Sequence, residues 1–496
     1  NHFGDIDHSK KIVSKFSKIV KKNKSYAAIK FQFRHLDTFI HKDKKYLKGN
    51  KYVDRFQSTS FSEASFRTLV NLVKKNNLLT ASTPFDEKSV DLIEKLDIDI
   101  IKIASVSAND FSLLERVSLN SKPKIISTGG LKINEIDKIV SFMTHRGQKF
   151  SLMHCISIYP SKDKDLQLKF ISNLLDRYPG INIGWSTHEN PENLSPSSIA
   201  YSLGATIFER HIGLNTKKYP LNKYSSTPEI ANLWLENLNN TKEILGSYNK
   251  KISNSETKSL KTLQRGIFAQ KNLIKGQLLD STNIYFSFPL QKKQLSSDQY
   301  KNGMVVSNSI NRDSPILTNS VVPLKQKNEV FFKELLHEAK AMLNYSNVVI
   351  GKDFDLEISH HYGIEYFRRF GAYLFNIINR KYCKKIILML PEQKHPAQYH
   401  KIKNESFHIL YGNLTCKLDN KIYKLTKGDI LHIRAGQWHE FVGKIKGCVF
   451  EEVSTESLKN DSFYKDTKIN KLKNYERKTF VSGWGRYELP NPLVKF

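Results

Sequence analysis

The sequence predicts an α/β chain followed by all-β modules: a parallel βα barrel first, then small β domains. Two observations carry this. Seven short apolar runs, most of them β-branched, recur up to residue 211 with helical patterns between most of them, whereas the last third alternates short strand-like runs with Gly turns. Apolar runs bounded by polar residues read as buried strands, and strands that alternate with helices build a parallel sheet. In order, the runs are Ala27–Gln32, Leu78–Thr83, Asp99–Ser105, Lys124–Thr128, Phe150–His154, Ile181–His188 and Ala205–His211. The helical patterns include His8–Lys22, Asn134–Thr144 and Leu166–Arg177.

Closing a βα barrel takes eight strands and roughly 250 residues. Seven runs therefore predict a (β/α)8 TIM barrel lacking its first strand in this fragment, with that strand expected ahead of the loop-like opening Asn1-His2-Phe3-Gly4-Asp5. An open doubly wound sheet of seven strands is the other arrangement that periodicity allows.

The chain has 496 residues, enough for about three domains of ordinary size. At 39% apolar residues and without a long apolar run, it offers no membrane span. Cys155, Cys383, Cys416 and Cys448 show no metal-ligand spacing, which suits a reducing cytoplasm. The net charge of +30 comes mostly from Lys spread along the chain beside many Asn, while Arg, the residue that forks onto bases and phosphates, is scarce. That pattern argues against nucleic acid and suits a small anionic substrate steered into a basic mouth.

The βα rhythm ends in the Leu- and Asn-rich stretch Ala231–Lys250, giving a barrel domain over residues 1–250. After the polar run Lys251–Lys258, a small β module is expected over 255–325, with a turn at Lys275-Gly276 and strands near Val305-Val306 and Val321-Val322. Residues 326–385 read as a linker and lead-in that includes a helix over Val330–Leu343. Residues 386–496 read as a β-sandwich or small barrel, with Gly412, Gly428, Gly436, Gly443 and Gly447 at its turns.

In parallel sheets the C-terminal strand ends carry the chemistry. Lys30, Thr83, Lys102, Ser105 and Ser127 sit at successive ends, and point cations with hydroxyl donors are what a phosphate requires. His188 and His211 close the next strands, within reach of one divalent ion.

These residues also carry a family resemblance. Asn1-His2-Phe3-Gly4-Asp5, Lys30-Phe31-Gln32, Lys102-Ile103-Ala104-Ser105, Ser127-Thr128-Gly129, His154-Cys155-Ile156-Ser157-Ile158-Tyr159-Pro160, Gly184-Trp185-Ser186-Thr187-His188 and Glu209-Arg210-His211 resemble, in order, the motifs of the sialic acid synthase family. The resemblance extends to about residue 320, where Arg265–Gln277 is similar to that family's antifreeze-like SAF domain. It implies condensation of phosphoenolpyruvate with an N-acylated mannose-type sugar to a nonulosonic acid, releasing phosphate, for surface glycan synthesis. It also implies roles for individual residues. Lys30, Thr83, Lys102, Ser105, Ser127, Ser157 and Ser186 would hold phosphoenolpyruvate, with Lys30, Lys102, Tyr159 and Glu209 catalytic. His188 and His211 would bind Mn2+ or Mg2+, and Tyr159 and Arg265 would meet the sugar. Because the SAF domain of that family reaches over the partner's barrel, a domain-swapped homodimer is implied. The chain departs from the family at Ser107, where an acidic residue is usual, at Pro220-Leu221-Asn222, where Pro-Asp-His is usual, and at Ser157, where Asn is common.

His400-x4-Glu405-x6-Gly412 and Gly428-x5-Arg434-x-Gly436-x2-His439 resemble the two cupin motifs, with Gln398 in place of the usual first ligand. The resemblance implies a second divalent metal on His400, Glu405 and His439, and it leaves two alternatives to the synthase: a cupin-centred sugar isomerase or epimerase, or a sugar-binding protein without catalysis. His360-His361, Glu451-Glu452 and Asn460-Asp461-Ser462 stand out without an assignable role.

Overall fold

A computed structural model describes residues 2–43, 49–50, 52–247, 250–301, 303–322, 328–351, 354–458 and 460–482. Asn1 of the opening motif and most of the expected linker at 325–328 lie outside them. The chain divides into two units, Asn1–Ile252 and Ser253–Phe496.

In the first unit, all seven apolar runs form strands: β1 (Ala28–Phe33), β2 (Leu79–Pro84), β3 (Ile100–Ile103), β4 (Lys124–Ser127), β5 (Phe150–Cys155), β6 (Ile183–Thr187) and β7 (Ile207–Arg210). They make one parallel sheet in the sequential order β1 to β7, the arrangement of a TIM-type barrel wall. Helices cover its outer face. Phe33, Ile101, Ile103, Ile126, Leu152 and Trp185 are buried against Val90, Ile93, Leu113, Ile136, Ile139 and Leu174. The opening helix, Ile6–Lys22, starts at Asp5, whose carboxylate accepts from the backbone amides of Asp7 and His8, and it buries Ile12, Val13 and Phe16. The unit ends with helix Pro228–Leu245.

The second unit opens with a correction. Residues 254–262, read from sequence as part of a polar connector, form a helix capped by the Ser253 hydroxyl. None of its residues is buried, so it has no apolar stripe to announce it. Next come the antiparallel pair β8 (Gly266–Ala269) and β9 (Ile284–Ser287), then the short pair β10 (Val305–Val306) and β11 (Val321–Val322). They enclose their own core of Ile267, Leu273, Leu279, Ile284, Leu295 and Ile316.

The remaining strands are β12 (Asp355–Ser359), β13 (Ala372–Asn379), β14 (Tyr382–Met389), β15 (Lys394–Tyr399), β16 (Glu405–Leu418), β17 (Lys421–Thr426), β18 (Ile430–Ile433), β19 (His439–Thr455), β20 (Phe463–Tyr464) and β21 (Lys478–Val481). They form a ten-stranded sheet in which β19 pairs with β14, β15 and β16. β12 and β13 stand ahead of residue 386 and belong to this sheet. Helix Asn328–Ser346 packs Leu335, Leu336, Ala339 and Leu343 on Leu356, Phe367 and Phe375, so the lead-in shares this core. β16 is bulged at Gly412 (φ +76°), where a Cβ would stand 2.1 Å from the Gly447 carbonyl oxygen, so only glycine lets the strands close there.

Candidate functional site

Side chains alternate along a strand, so register partners and residues two apart share a face. Lys30 pairs with Ala81 and Gln32 with Thr83, which puts Thr83 on the face of Lys30. Lys102 pairs with Ile125, two before Ser127, and Ser186 pairs with Glu209. His188 and His211 each lie two residues beyond that last pair. The alternation thus delivers the sequence-predicted set to one side of the sheet.

Glu209 ties the set together. Lys30 Nζ is 2.9 Å from its Oε1, Lys102 Nζ is 3.7 Å from its Oε2, and the Ser186 hydroxyl donates to Oε1 at 3.1 Å. Lys102 also donates to the Ser127 hydroxyl. Burial opposes ionisation of Glu209, but Lys102 and Lys30 outweigh it and hold the carboxyl well below the usual range. Burial pushes the Lys102 ammonium down, and Glu209 opposes that shift. Two ammoniums against one carboxylate leave this cluster net positive. Beside it, Ser105 accepts from the Gly129 amide at 3.0 Å and lies 3.2 Å from Cys155 Sγ. A Cβ on Gly129 would stand 2.4 Å from Ser157 Oγ and 2.8 Å from both Ser105 Oγ and Cys155 Sγ, so the missing side chain leaves a hydroxyl-lined cradle. Among the described residues, the buried Ser82 and Thr83 hydroxyls have no hydrogen-bond partner.

The His188 and His211 ring centroids are 5.4 Å apart. His188 Nδ1 is held 2.8 Å from the Ile156 carbonyl, so this nitrogen carries the proton and Nε2 offers a lone pair. Burial lowers both pKa values, that of His211 to about 3, which keeps the imidazoles neutral as metal binding requires. Tyr159 covers them, 4.2 Å from His188 and 6.2 Å from His211. Tyr224 meets His211 edge-on at 5.2 Å and Tyr159 at 5.3 Å. Arg265 belongs to the other unit, where its guanidinium lies 5.8 Å from the Phe286 ring and makes no ion pair among the described residues.

The second predicted cluster is also brought together. His400, Glu405 and His439 are buried, and one ligand atom of each lies within 4.8 Å of the others. His400 Nδ1 faces the Asp461 carbonyl and His439 Nδ1 the Gln437 carbonyl, so both Nε2 atoms carry lone pairs. Those lone pairs point at carboxylate oxygens: His400 Nε2 is 3.3 Å from Glu405 Oε1, and His439 Nε2 is 3.3 Å from Oε2. Lone pairs facing one another in a buried site suit a cation between them, and among the described residues His400 Nε2 and Glu405 Oε2 have no hydrogen-bond partner. Gln398 Nε2 stands 3.3 Å from His439 Nε2. The sequence reading missed Lys403, which is buried between Glu405 Oε1 and Glu452 Oε1. Burial opposes its charge, but Glu452 and Glu405 raise its pKa. Its only sequence signal was a lysine inside the first motif, a position normally read as a solvated turn.

Residues 20–250 match the NeuB family and residues 385–445 the cupin domain. Protein MJ1065 of Methanocaldococcus jannaschii is 33% identical over 60% of this chain and 85% of its own length. A crystal structure from Chromobacterium violaceum, described as spore coat polysaccharide biosynthesis protein E, is 38% identical, covers 65% of this chain and 97% of its own, and superposes with a TM-score of 0.61. The chain belongs to the NeuB family. N-acetylneuraminate-9-phosphate synthase of Drosophila melanogaster is 28% identical over 65% of this chain and 94% of its own length. The N,N'-diacetyllegionaminic acid synthase of Campylobacter jejuni is 27% identical over 57% and 86%. The NeuB match ends where the barrel unit ends, and the cupin match falls on β14 to β19. Among the described residues, no helix is long and apolar enough to cross a membrane.

Proposed function

We propose that the barrel condenses phosphoenolpyruvate with an N-acylated mannose-type aldose to form a nonulosonic acid. The observation that carries this reading is the Lys30–Glu209–Lys102 bridge, set among strand-end hydroxyls and beside two neutral imidazoles. C3 of the enolpyruvate bonds to the aldehyde carbon, whose oxygen takes up a proton. Water then adds at C2, and the C2–O bond to phosphate breaks, leaving a 2-oxo acid and inorganic phosphate. Lys30 and Lys102 hold the anionic groups, and the cradle at Gly129 supplies hydroxyls and an amide to the same substrate. Glu209 fixes both ammoniums and keeps them from drifting into water. His188 and His211 fit a divalent ion of the Mn2+ or Mg2+ class, which when bound supplies Lewis acidity toward the aldehyde oxygen. Tyr159 and Tyr224 wall the sugar side. A cytoplasmic setting, where phosphoenolpyruvate is made, fits this reading. Arg265 has no ion-pair partner among the described residues and is free to meet a sugar in a swapped homodimer. In the second unit, His400, Glu405 and His439 would hold a second divalent ion. The relatives' names favour the synthase over a cupin-centred isomerase or a mere binding protein.

The test is phosphate release from phosphoenolpyruvate with Mn2+ and a panel of N-acylated mannose-type sugars. Release that depends on one sugar is the expected result. Measurable Mn2+ binding with no release for any sugar would sink the reading.

A further inference from the structure

The buried cluster around Glu405 holds more positive charge than two imidazoles and a carboxylate imply. Lys403 contacts Glu405 Oε1 and lies 3.0 Å from Glu452 Oε1, and Lys385 Nζ is 3.9 Å from that same Glu452 oxygen. The two carboxylates are therefore already met by two ammoniums. Asp461 is engaged elsewhere, since its carboxylate accepts from the backbone amides of Lys401, Ile402 and Lys403. The facing lone pairs of His400, His439 and Glu405 call for a cation, yet a divalent ion would add two charges with no counter-charge among buried side chains.

We propose that the interior of this barrel binds an acidic sugar, an oxo- or hydroxycarboxylate that chelates the ion, and that Lys403 makes binding of the ion conditional on that acid. The inference rests on reading His400, Glu405 and His439 as a cation site. A carboxylate supplies the missing negative charge, and a neighbouring oxo or hydroxyl oxygen closes a chelate ring on positions that three protein donors leave open. Gln398 stands where a further ligand would come in, and its amide can donate to an incoming oxygen as it does to His439.

The same interior explains why the acid should be a sugar. Beyond His439 runs a polar wall: His395 stacks on Phe441 at 4.5 Å, His361 meets His395 edge-on at 4.5 Å, and Tyr464 lies 5.1 Å from His361. His361 is fully buried, its Nε2 lies 3.4 Å from the Ser359 hydroxyl, and among the described residues its Nδ1 has no hydrogen-bond partner. A sugar hydroxyl would satisfy that nitrogen, whereas a small apolar acid would leave it unpaired. A 2-oxo sugar acid, the product class assigned above to the first unit, has this chemistry.

The experiment uses the full chain with His211→Ala to silence the barrel's ion site, and it reads Mn2+ affinity by electron paramagnetic resonance with and without N-acetylneuraminate. The acid should tighten Mn2+ binding at least tenfold, and by linkage Mn2+ should tighten the acid by the same factor. Lys403→Met should tighten Mn2+ alone and erase the dependence. Because that variant leaves Glu452 with Lys385 alone, Lys403→Gln, whose neutral amide can still donate to both carboxylates, serves as a second probe and should behave alike. Equal Mn2+ affinity with and without the acid, in protein whose Mn2+ binding is lost in His439→Ala, overturns the coupling while leaving the cation site intact. Mn2+ binding that survives His439→Ala overturns both.

Discussion

The two sites place the same residue types in opposite electrostatic settings. In the barrel, Glu209 sits between two ammoniums at a mouth lined with hydroxyls, so net positive charge faces an incoming anion. In the second unit, Glu405 is sealed between two imidazoles and Lys403, and a further carboxylate, Glu452, balances the lysine. One cluster is short of negative charge before anything binds, whereas the other becomes so only when a divalent ion enters. The first is built to recruit an anion directly and the second to recruit one together with a metal.

The largest effect that would break this comparison is loss of the barrel's cationic centre. Lys102→Met removes the buried ammonium that meets both Glu209 and Ser127. Removing a preorganised charge of this kind lowers turnover by roughly 10²–10³-fold. His439→Ala changes a residue of the other unit and should leave phosphate release essentially unchanged. Equal losses in both variants would mean that the chemistry is not confined to the barrel.

Next in size is the ion-pair chain in the second unit. Glu452→Gln leaves Lys403 with one carboxylate in place of two, both partners being buried. Breaking a buried pair from one side costs on the order of 3 kcal/mol. Urea unfolding should show that loss in the transition of the second unit. In the barrel, Lys30→Met should be gentler on stability, because Lys30 is less buried than Lys403.

How much of this was legible beforehand follows from the range of the interactions. The seven parallel strands were readable because each is a local apolar run, and the barrel residues were readable because a parallel sheet brings all its strand ends to one side. His400, Glu405 and His439 followed from motif spacing. Lys403, Glu452 and Asp461 did not, because their roles come from contacts across 49 and 58 or more residues. The 254–262 helix was hidden for a different reason: it is polar all round and is specified by its Ser253 cap. Tyr224 carried no signal of its own, since only the packed loop brings it to His211.

A pH scan sharpens the contrast further. His395 is buried and stacked on Phe441, and burial lowers its pKa to about 3. Below an ordinary value near 6.5 the unfolded chain takes up a proton that the folded chain refuses. Stability is therefore lost as pH falls from about 6.5 toward 3, on the order of 2 kcal/mol by pH 5. His395→Phe, which keeps the stack, should make that slope shallower for the second unit by its own share, buried His361 and His439 supplying the rest, and leave the first unchanged. An unaltered slope would show that His395 is protonated in the native state.

The smallest expected effect tests the sugar side of the barrel. Tyr224 packs its ring against His211 and Tyr159. Tyr224→Leu keeps an apolar wall and removes an aromatic edge, a change of about 1 kcal/mol. It should raise the KM for the sugar several-fold and leave the KM for phosphoenolpyruvate unchanged. If both KM values rise together, Tyr224 props the His188–His211 pair and the two sides of the site are not separable; if only the sugar's rises, the acceptor is chosen by the wall that Tyr159 and Tyr224 form.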